Sequence, residues 1–185
     1  MEITTLVFDE GGKHNTDAAL QIAKQRALEL GIQQVVVASS HGYTAKRAHE
    51  MLMPEGIQVI AVTICHGFES KGWAMPAGTK AELRDMGIVV HSGTHALGSA
   101  WGAAYTARYG GPSLTEIVRD TFYRFCQGMK VAVECVLMAA DAGLLDMEQE
   151  VISLGGSGDG ADTAIVCKPA YPRTFHDLEI REVLA

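Results

Sequence analysis

Cysteine is scarce in this sequence. The chain of 185 residues has four, Cys65, Cys126, Cys135 and Cys167, and no CxxC spacing. Cys65 and Cys167 lie in or beside strand-like runs, where cysteine packs as a small hydrophobe. A cytoplasmic protein with reduced thiols is the expectation. Positive charge is also in deficit. Lys and Arg number 15 against 22 Asp and Glu, a net charge of −7, which argues against a nucleic-acid surface but leaves room for a local basic pocket. No uninterrupted apolar run is long enough to span a bilayer, and no charged-then-apolar leader opens the chain, so neither a membrane nor a signal peptide is expected. Gly-Lys-Ser/Thr does not occur, which excludes a Walker loop, and no Gly-x-Ser-x-Gly marks a nucleophile elbow. His41, His66, His91 and His95 form no HxH or HExxH pattern, and no carboxylate or thiol is spaced beside them as a metal partner, so no metal is expected. Internal repeats and long linkers are missing too. With 48% hydrophobic residues, one domain over residues 1–185 with a sizeable core is expected.

What is present centres on the stretch from Val35 to Ala48. Val35-Val36-Val37-Ala38 is a continuous β-branched run, as in a strand of a parallel sheet buried on both faces. A helix-compatible pattern runs from Ala45 to Met53. Between them lie Ser39, Ser40, His41, Gly42 and Thr44. The first N–H groups of a helix have no internal partner, and the macrodipole favours negative charge there. Hydroxyls and a glycine in such a loop make an anion site. The same residues also suit a plain helix cap.

Strand and helix patterns alternate along the chain, which predicts βαβ units and a mainly parallel sheet. Ile3 to Phe8 reads as a strand. Asn15 or Thr16 caps a helix that stops at Gly31. Further strands are expected at Gln58–Ile64, Ile88–Val90, Val151–Leu154 and Ala164–Cys167, with an edge strand within Asp177–Val183. Thr79 caps a short helix ending at Gly87. The segment from Leu97 to Pro112 is rich in Gly, Ala and aromatics and resists assignment. From Ser113 or Thr115 to about Ala142 the pattern predicts one long helix. Its apolar face runs from Ile117 through Phe125 to Leu137, and Asp120/Arg124 and Lys130/Glu134 are exposed pairs four residues apart.

Candidate pocket residues collect in the loops that follow strands. Ser39, Ser40, Gly42 and Thr44 are the expected phosphate contacts. His66 follows the second strand, and Gly93, Thr94 and His95 follow the third. Gly155, Gly156, Ser157, Asp162 and Thr163 belong to a glycine stretch after the 151–154 strand, where close backbone approach to a ligand or a connection between strands both account for the glycines. The stretch is not a Rossmann fingerprint, because Ala161 falls at the final glycine position and no long helix follows. Glu10, Asp159 and Asp162 are candidate acids, and Asp162 also suits closing the turn with its side chain. Parallel strands put these loops at one end of the sheet, where ligands gather.

The chain resembles stand-alone proteins related to the C-terminal α/β domain of pyruvate kinase. The resemblance rests on Gly12-Lys13-His14-Asn15-Thr16, Val36-Val37-Ala38-Ser39 with Gly42 and Thr44-Ala45, and Gly93-Thr94-His95-Ala96-Leu97. It continues with Gln127-Gly128, Lys130-Val131 and Glu134, then Met138-Ala139-Ala140-Asp141-Ala142-Gly143-Leu144, and Gly155-Gly156 with Gly160-Ala161-Asp162-Thr163-Ala164. It implies a three-layer α/β/α sandwich with a mostly parallel central sheet. It also implies a phosphate-binding role for Ser39–Thr44, similar to the loop through which the pyruvate kinase domain takes a sugar-bisphosphate effector. Stand-alone relatives resemble flavin mononucleotide (FMN) binders, so FMN is the expected cofactor, its ring near the 155–163 loop and His95. Two features depart from the pattern. His41-Gly42-Tyr43 adds bulk to the phosphate loop, and Ser157-Gly158-Asp159 adds a charge.

Three functions follow as expectations: an FMN-binding protein, with or without redox activity; a non-catalytic sensor of a phosphorylated metabolite; and a structural partner that docks through its aromatic 101–109 segment. The expected partner is a phosphorylated small molecule, with a homo-oligomer left open and no nucleic acid or membrane involved. No catalytic residue is assigned.

Overall fold

Val35, Val36 and Val37 have no solvent exposure at all, and the sheet is built outward from them. The computed structural model describes residues 4–98 and 100–185. Six strands form one sheet: β1 (Gln34–Ala38), β2 (Gln58–Thr63), β3 (Val89–Ser92), β4 (Val151–Gly155), β5 (Thr163–Lys168) and β6 (Glu179–Val183). Their order is β3-β2-β1-β4-β5-β6. The first four run parallel; β5 is antiparallel to β4, and β6 is antiparallel to β5, so β5 alone is reversed. The chain lays strands down to one side of β1, then returns to place β4 on the other. In open α/β sheets the crevice at such a reversal, outside the carboxyl ends of the strands, is where ligands bind.

Strand alternation divides the core in two. Val35, Val37, Val59, Ala61, Ile152 and Leu154 face α1 (Thr16–Leu30), α2 (Tyr43–Leu52) and α3 (Ala77–Asp85). Val36, Ile60, Val62, Val151 and Ile165 face α6 (Gln127–Asp141). This is the expected three-layer arrangement. Buried Ser153 donates its hydroxyl to the Ala132 carbonyl at 2.9 Å, which ties β4 to α6. Between β3 and α6 the chain forms α4 (Trp101–Tyr109) and α5 (Leu114–Phe122), which pack on each other.

Several sequence expectations need correction. Residues 4–8 form no strand; Leu6 donates to the Leu184 carbonyl, and Val7 is 83% exposed. Ile3 lies outside the described residues. β3 is an edge strand, half-buried along its length. Neither Asn15 nor Thr16 caps α1 with its side chain, and Thr79 sits inside α3, whose N-cap is Pro76. The long helix is two helices, broken between Phe122 and Gln127. Ser113 does cap the first, in a capping box with Glu116. The apolar stripe spans the break, so periodicity alone reads through it. Cys126 adopts an extended backbone and its sulfur caps Met129 N–H at 3.2 Å. Ile117 and Phe125 consequently face solvent, 51% and 71% exposed. Asp120 pairs with Arg119 and not with Arg124. Lys130 and Glu134 do pair, but buried.

Candidate functional site

Helices that precede a strand of a parallel sheet begin at its carboxyl end, and so does a helix that follows one. α1, α2 and α6 therefore all start where β1 and β4 finish. Their positive dipole ends converge in a protein whose net charge is −7. A cavity of about 230 Å³ opens at that place, lined by Lys13, Ser39, Ser40, Thr44, Gly156 and Asp159 among others. Gly42 reaches its left-handed φ of 95° to turn the chain into α2. A Cβ there would lie 2.9 Å from Thr79, so its small size serves the turn and the packing of α3. Ser39 is buried, and its hydroxyl accepts Ala45 N–H at 3.3 Å. Among the described residues, Tyr43 and Thr44 N–H find no acceptor within the protein. Thr44 is 3% exposed, yet its hydroxyl has no partner among the described residues, and neither has that of Ser40. Lys13 brings a cation to this wall, its ammonium 3.9 Å from the Tyr43 ring centre.

The opposite wall is the turn between β4 and β5, and its residue types follow from how tightly it is held. Gly155 abuts α6: a Cβ would lie 2.3 Å from the Gly128 carbonyl oxygen. At Gly156 it would meet the Gly160 carbonyl oxygen at 2.5 Å, and at Gly160 the Thr16 hydroxyl at 2.4 Å. Asp162 Oδ2 accepts Gly12 N–H at 2.7 Å and Ser157 N–H at 3.0 Å, while Oδ1 accepts the Thr163 hydroxyl at 3.1 Å. Asp162 thus closes the turn and ties it to the start of α1. Thr163 has spent its proton on Asp162, so the Cys126 thiol, 3.3 Å away, is the donor between them.

A second cavity, about 160 Å³, adjoins the first and shares Ala38, Ser39, Ser40 and Val131 with it. Val62, Ile64, Cys135 and Met138 give it apolar walls, and Thr63, His95, Lys130 and Glu134 give it polar ones. Glu134 Oε1 accepts Leu97 N–H at 2.8 Å, and Oε2 pairs with the Lys130 ammonium at 2.5 Å. His95 Nε2 accepts Cys65 N–H at 3.3 Å, which assigns the ring proton to Nδ1. Burial holds the His95 pKa below its usual value, against the opposing pull of Glu134, so the ring is neutral near pH 7.

Of the residues singled out in the sequence, Ser39, Ser40, Thr44 and Gly156 line the first cavity and His95 the second. Gly42, Gly155, Ser157, Asp162 and Thr163 shape the loops around them. His66, Gly93 and Thr94 line neither; His66 is exposed, 3.2 Å from the Lys80 ammonium. Lys13 and Lys130 were not singled out as site residues. Both stand in the quoted signatures, and as cations beside a candidate anion loop they carried the signal. A larger hollow of about 710 Å³ lies at the amino end of the sheet. Its Gln34 is already committed to Gln58, Leu144 and Asp146. No group of three or more His, Cys, Asp or Glu that could hold a metal occurs among the described residues. Nor is any helix among them long and apolar enough to cross a membrane.

Two solved structures are similar at low identity. Both are pyruvate kinases of Cryptosporidium parvum, the second in complex with ADP. They match at 10% identity each, with TM-scores of 0.45 and 0.38, over 89% and 86% of this chain. The chain spans 24% of the length of either. The family profile described as the pyruvate kinase alpha/beta domain matches residues 17–167. That match runs from α1 to the end of β5, taking in the phosphate-loop candidate, α6 and the glycine turn, and by it this chain belongs to the pyruvate kinase alpha/beta domain family.

Proposed function

We propose that the crevice between β1 and β4 binds a phosphorylated small molecule, with FMN the ligand to test first. The observation that carries this reading is the first cavity. The Tyr43 and Thr44 N–H groups and the Ser40 and Thr44 hydroxyls, unpaired among the described residues, share one small space with the Lys13 ammonium. Donors without acceptors at a helix start suit a phosphate. The adjoining cavity suits an aromatic ring with carbonyl edges, since it pairs apolar walls with donors on Lys130 and His95. A bound flavin would supply electron or hydride transfer; the chain's own residues would hold and orient it.

The test compares FMN with riboflavin by flavin fluorescence, in the parent and in Ser40→Ala/Thr44→Val. A charge-assisted hydrogen bond contributes about 1.5–3 kcal/mol. Losing both hydroxyls therefore lowers FMN affinity roughly ten- to thousandfold, allowing for non-additivity, and removes the preference over riboflavin. Equal affinity of the parent for both flavins would refute a phosphate site. A sugar phosphate bound tightly with no flavin bound would assign the crevice to a metabolite sensor.

A further inference from the structure

The Lys130–Glu134 pair is an odd thing to find inside a helix face that packs on a sheet. Side-chain exposures are 8% and 7%. Burying an ion pair costs desolvation that its mutual attraction often fails to return, and an apolar pair would pack as well. Each Glu134 oxygen has a protein partner, one the Leu97 N–H and the other the Lys130 ammonium. The same is not true of the Lys130 protons. An ammonium has three protons to donate; Glu134 accepts one, and the described residues offer no acceptor for the other two. His95 is in the same position, since its Nδ1 proton finds no acceptor among the described residues. The Ser40 hydroxyl is unpaired among them as well, and it belongs to both cavities. The second cavity thus has donors in excess, one carboxylate already neutralised, and a largely apolar remainder. An oxygen with lone pairs and no proton, carried on an apolar frame, is what such a wall complements.

We propose that the second cavity reads the far end of the same phosphorylated ligand, Lys130 and His95 donating to a carbonyl or carboxylate oxygen while Glu134 holds the ammonium in place. This rests on the phosphate reading of the first cavity. The ligand class is then narrower than phosphate compounds at large: a phosphate at one end and a carbonyl or carboxylate oxygen at the other. A compound whose second head is an ammonium is selected against, because it brings only donors to donors, and a hydroxyl, which can accept but must also place its own proton, fits less well than a carbonyl or carboxylate.

The test uses Lys130→Met/Glu134→Gln. Changing both residues leaves no unpaired buried charge, and the new side-chain amide oxygen can still accept Leu97 N–H; circular dichroism melting checks that the variant folds. FMN and riboflavin are titrated against it. Both affinities should fall roughly ten- to hundredfold, with their ratio unchanged. In the parent, nitrogen-15 NMR should show the His95 Nδ1–H and Lys130 ammonium signals shifted and protected from exchange by either flavin but not by inorganic phosphate, a readout that needs no variant. Unchanged flavin affinity in a folded variant, or no response at either group, would overturn the proposal and leave the phosphate reading standing. Equal FMN and riboflavin affinities would overturn the phosphate reading alone, and riboflavin would then decide the role of Lys130. If no flavin binds, 3-phosphoglycerate and dihydroxyacetone phosphate are compared with glycerol 3-phosphate. Preference for the carboxylate or the carbonyl supports the proposal and separates the two; equal binding overturns it.

Discussion

Gly155→Ala adds one methyl group where β4 meets α6. The new Cβ would lie 2.3 Å from the Gly128 carbonyl oxygen, 2.8 Å from the Ala132 nitrogen and 3.1 Å from the Val131 Cβ. Two of these atoms are backbone, so no rotamer change relieves the clash. Restoring an ordinary contact requires α6 to back away by about 1 Å. That loosens a helix whose face is core along nearly its whole length. Overpacking of this kind costs about 1–3 kcal/mol. At about 2–4 °C per kcal/mol for a chain of this size, the melting temperature falls by about 2–12 °C. Gly78→Ala is the control. It is exposed in the first turn of α3, with nothing within 4 Å of its added Cβ, and it should stabilise by about 0.4–1 kcal/mol. The same chemical change is thus expected to act with opposite sign at two sites. Urea denaturation and calorimetry measure both. A Gly155→Ala protein as stable as the parent would refute the close approach of β4 and α6 and the placement of Val131 between the two cavities.

Val133 has no exposure, so Val133→Asp buries an unpaired charge and should cost more than about 3 kcal/mol in urea denaturation; Ile117→Asp, on the outward part of α5, should change stability by less than about 0.5 kcal/mol. The Thr106 and Ser113 hydroxyls and Ser113 N–H hold the Glu116 pKa down at about 2. A depressed carboxylate stabilises above its unfolded pKa and loses that contribution as pH falls through the folded one. Exchange protection in α4 and α5, the observed rate set against the intrinsic rate at each pH, should therefore fall between about pH 4.3 and pH 2, and Glu116→Gln should flatten that dependence. Asp159 stands exposed at the rim of the first cavity, and Asp159→Asn should tighten FMN binding about two- to fivefold at low salt, an effect that salt erases.

The parallel sheet was legible because Val35–Val37 leave no periodicity to interpret: a short β-branched run bounded by polar turns suits a doubly covered strand. The glycine stretch was legible as a tight feature, though not in its detail. Gly155 is small because α6 is close, and that closeness depends on Gly128, far earlier in the chain. The break before α6 was hidden for a similar reason. Phe122, Phe125 and Met129 keep an apolar spacing through it, and only the cap made by Cys126 marks the new start. Lys130 and Glu134 read as surface residues because charge at four-residue spacing usually is a solvated face. Their burial comes from the loop at Leu97 closing over α6, which local sequence does not encode.

These long-range contacts explain why the candidate site lies where it does. A phosphate pocket at one helix start needs that start alone. Here the turn after β4 is clamped from two sides, to the start of α1 through Asp162, Thr16 and Gly160, and to the start of α6 through Gly155, Thr163 and Cys126. Each clamp uses a side chain or a close approach that would otherwise be free for a ligand. Asp162 and Thr163 therefore act by shaping the crevice, while among the described residues Ser40, Thr44, Lys130 and His95 keep unspent donors. Backbone and acids build the walls, while hydroxyls and cations keep their donors. That division of labour is what suits the proposed pocket to acceptors inside an acidic protein.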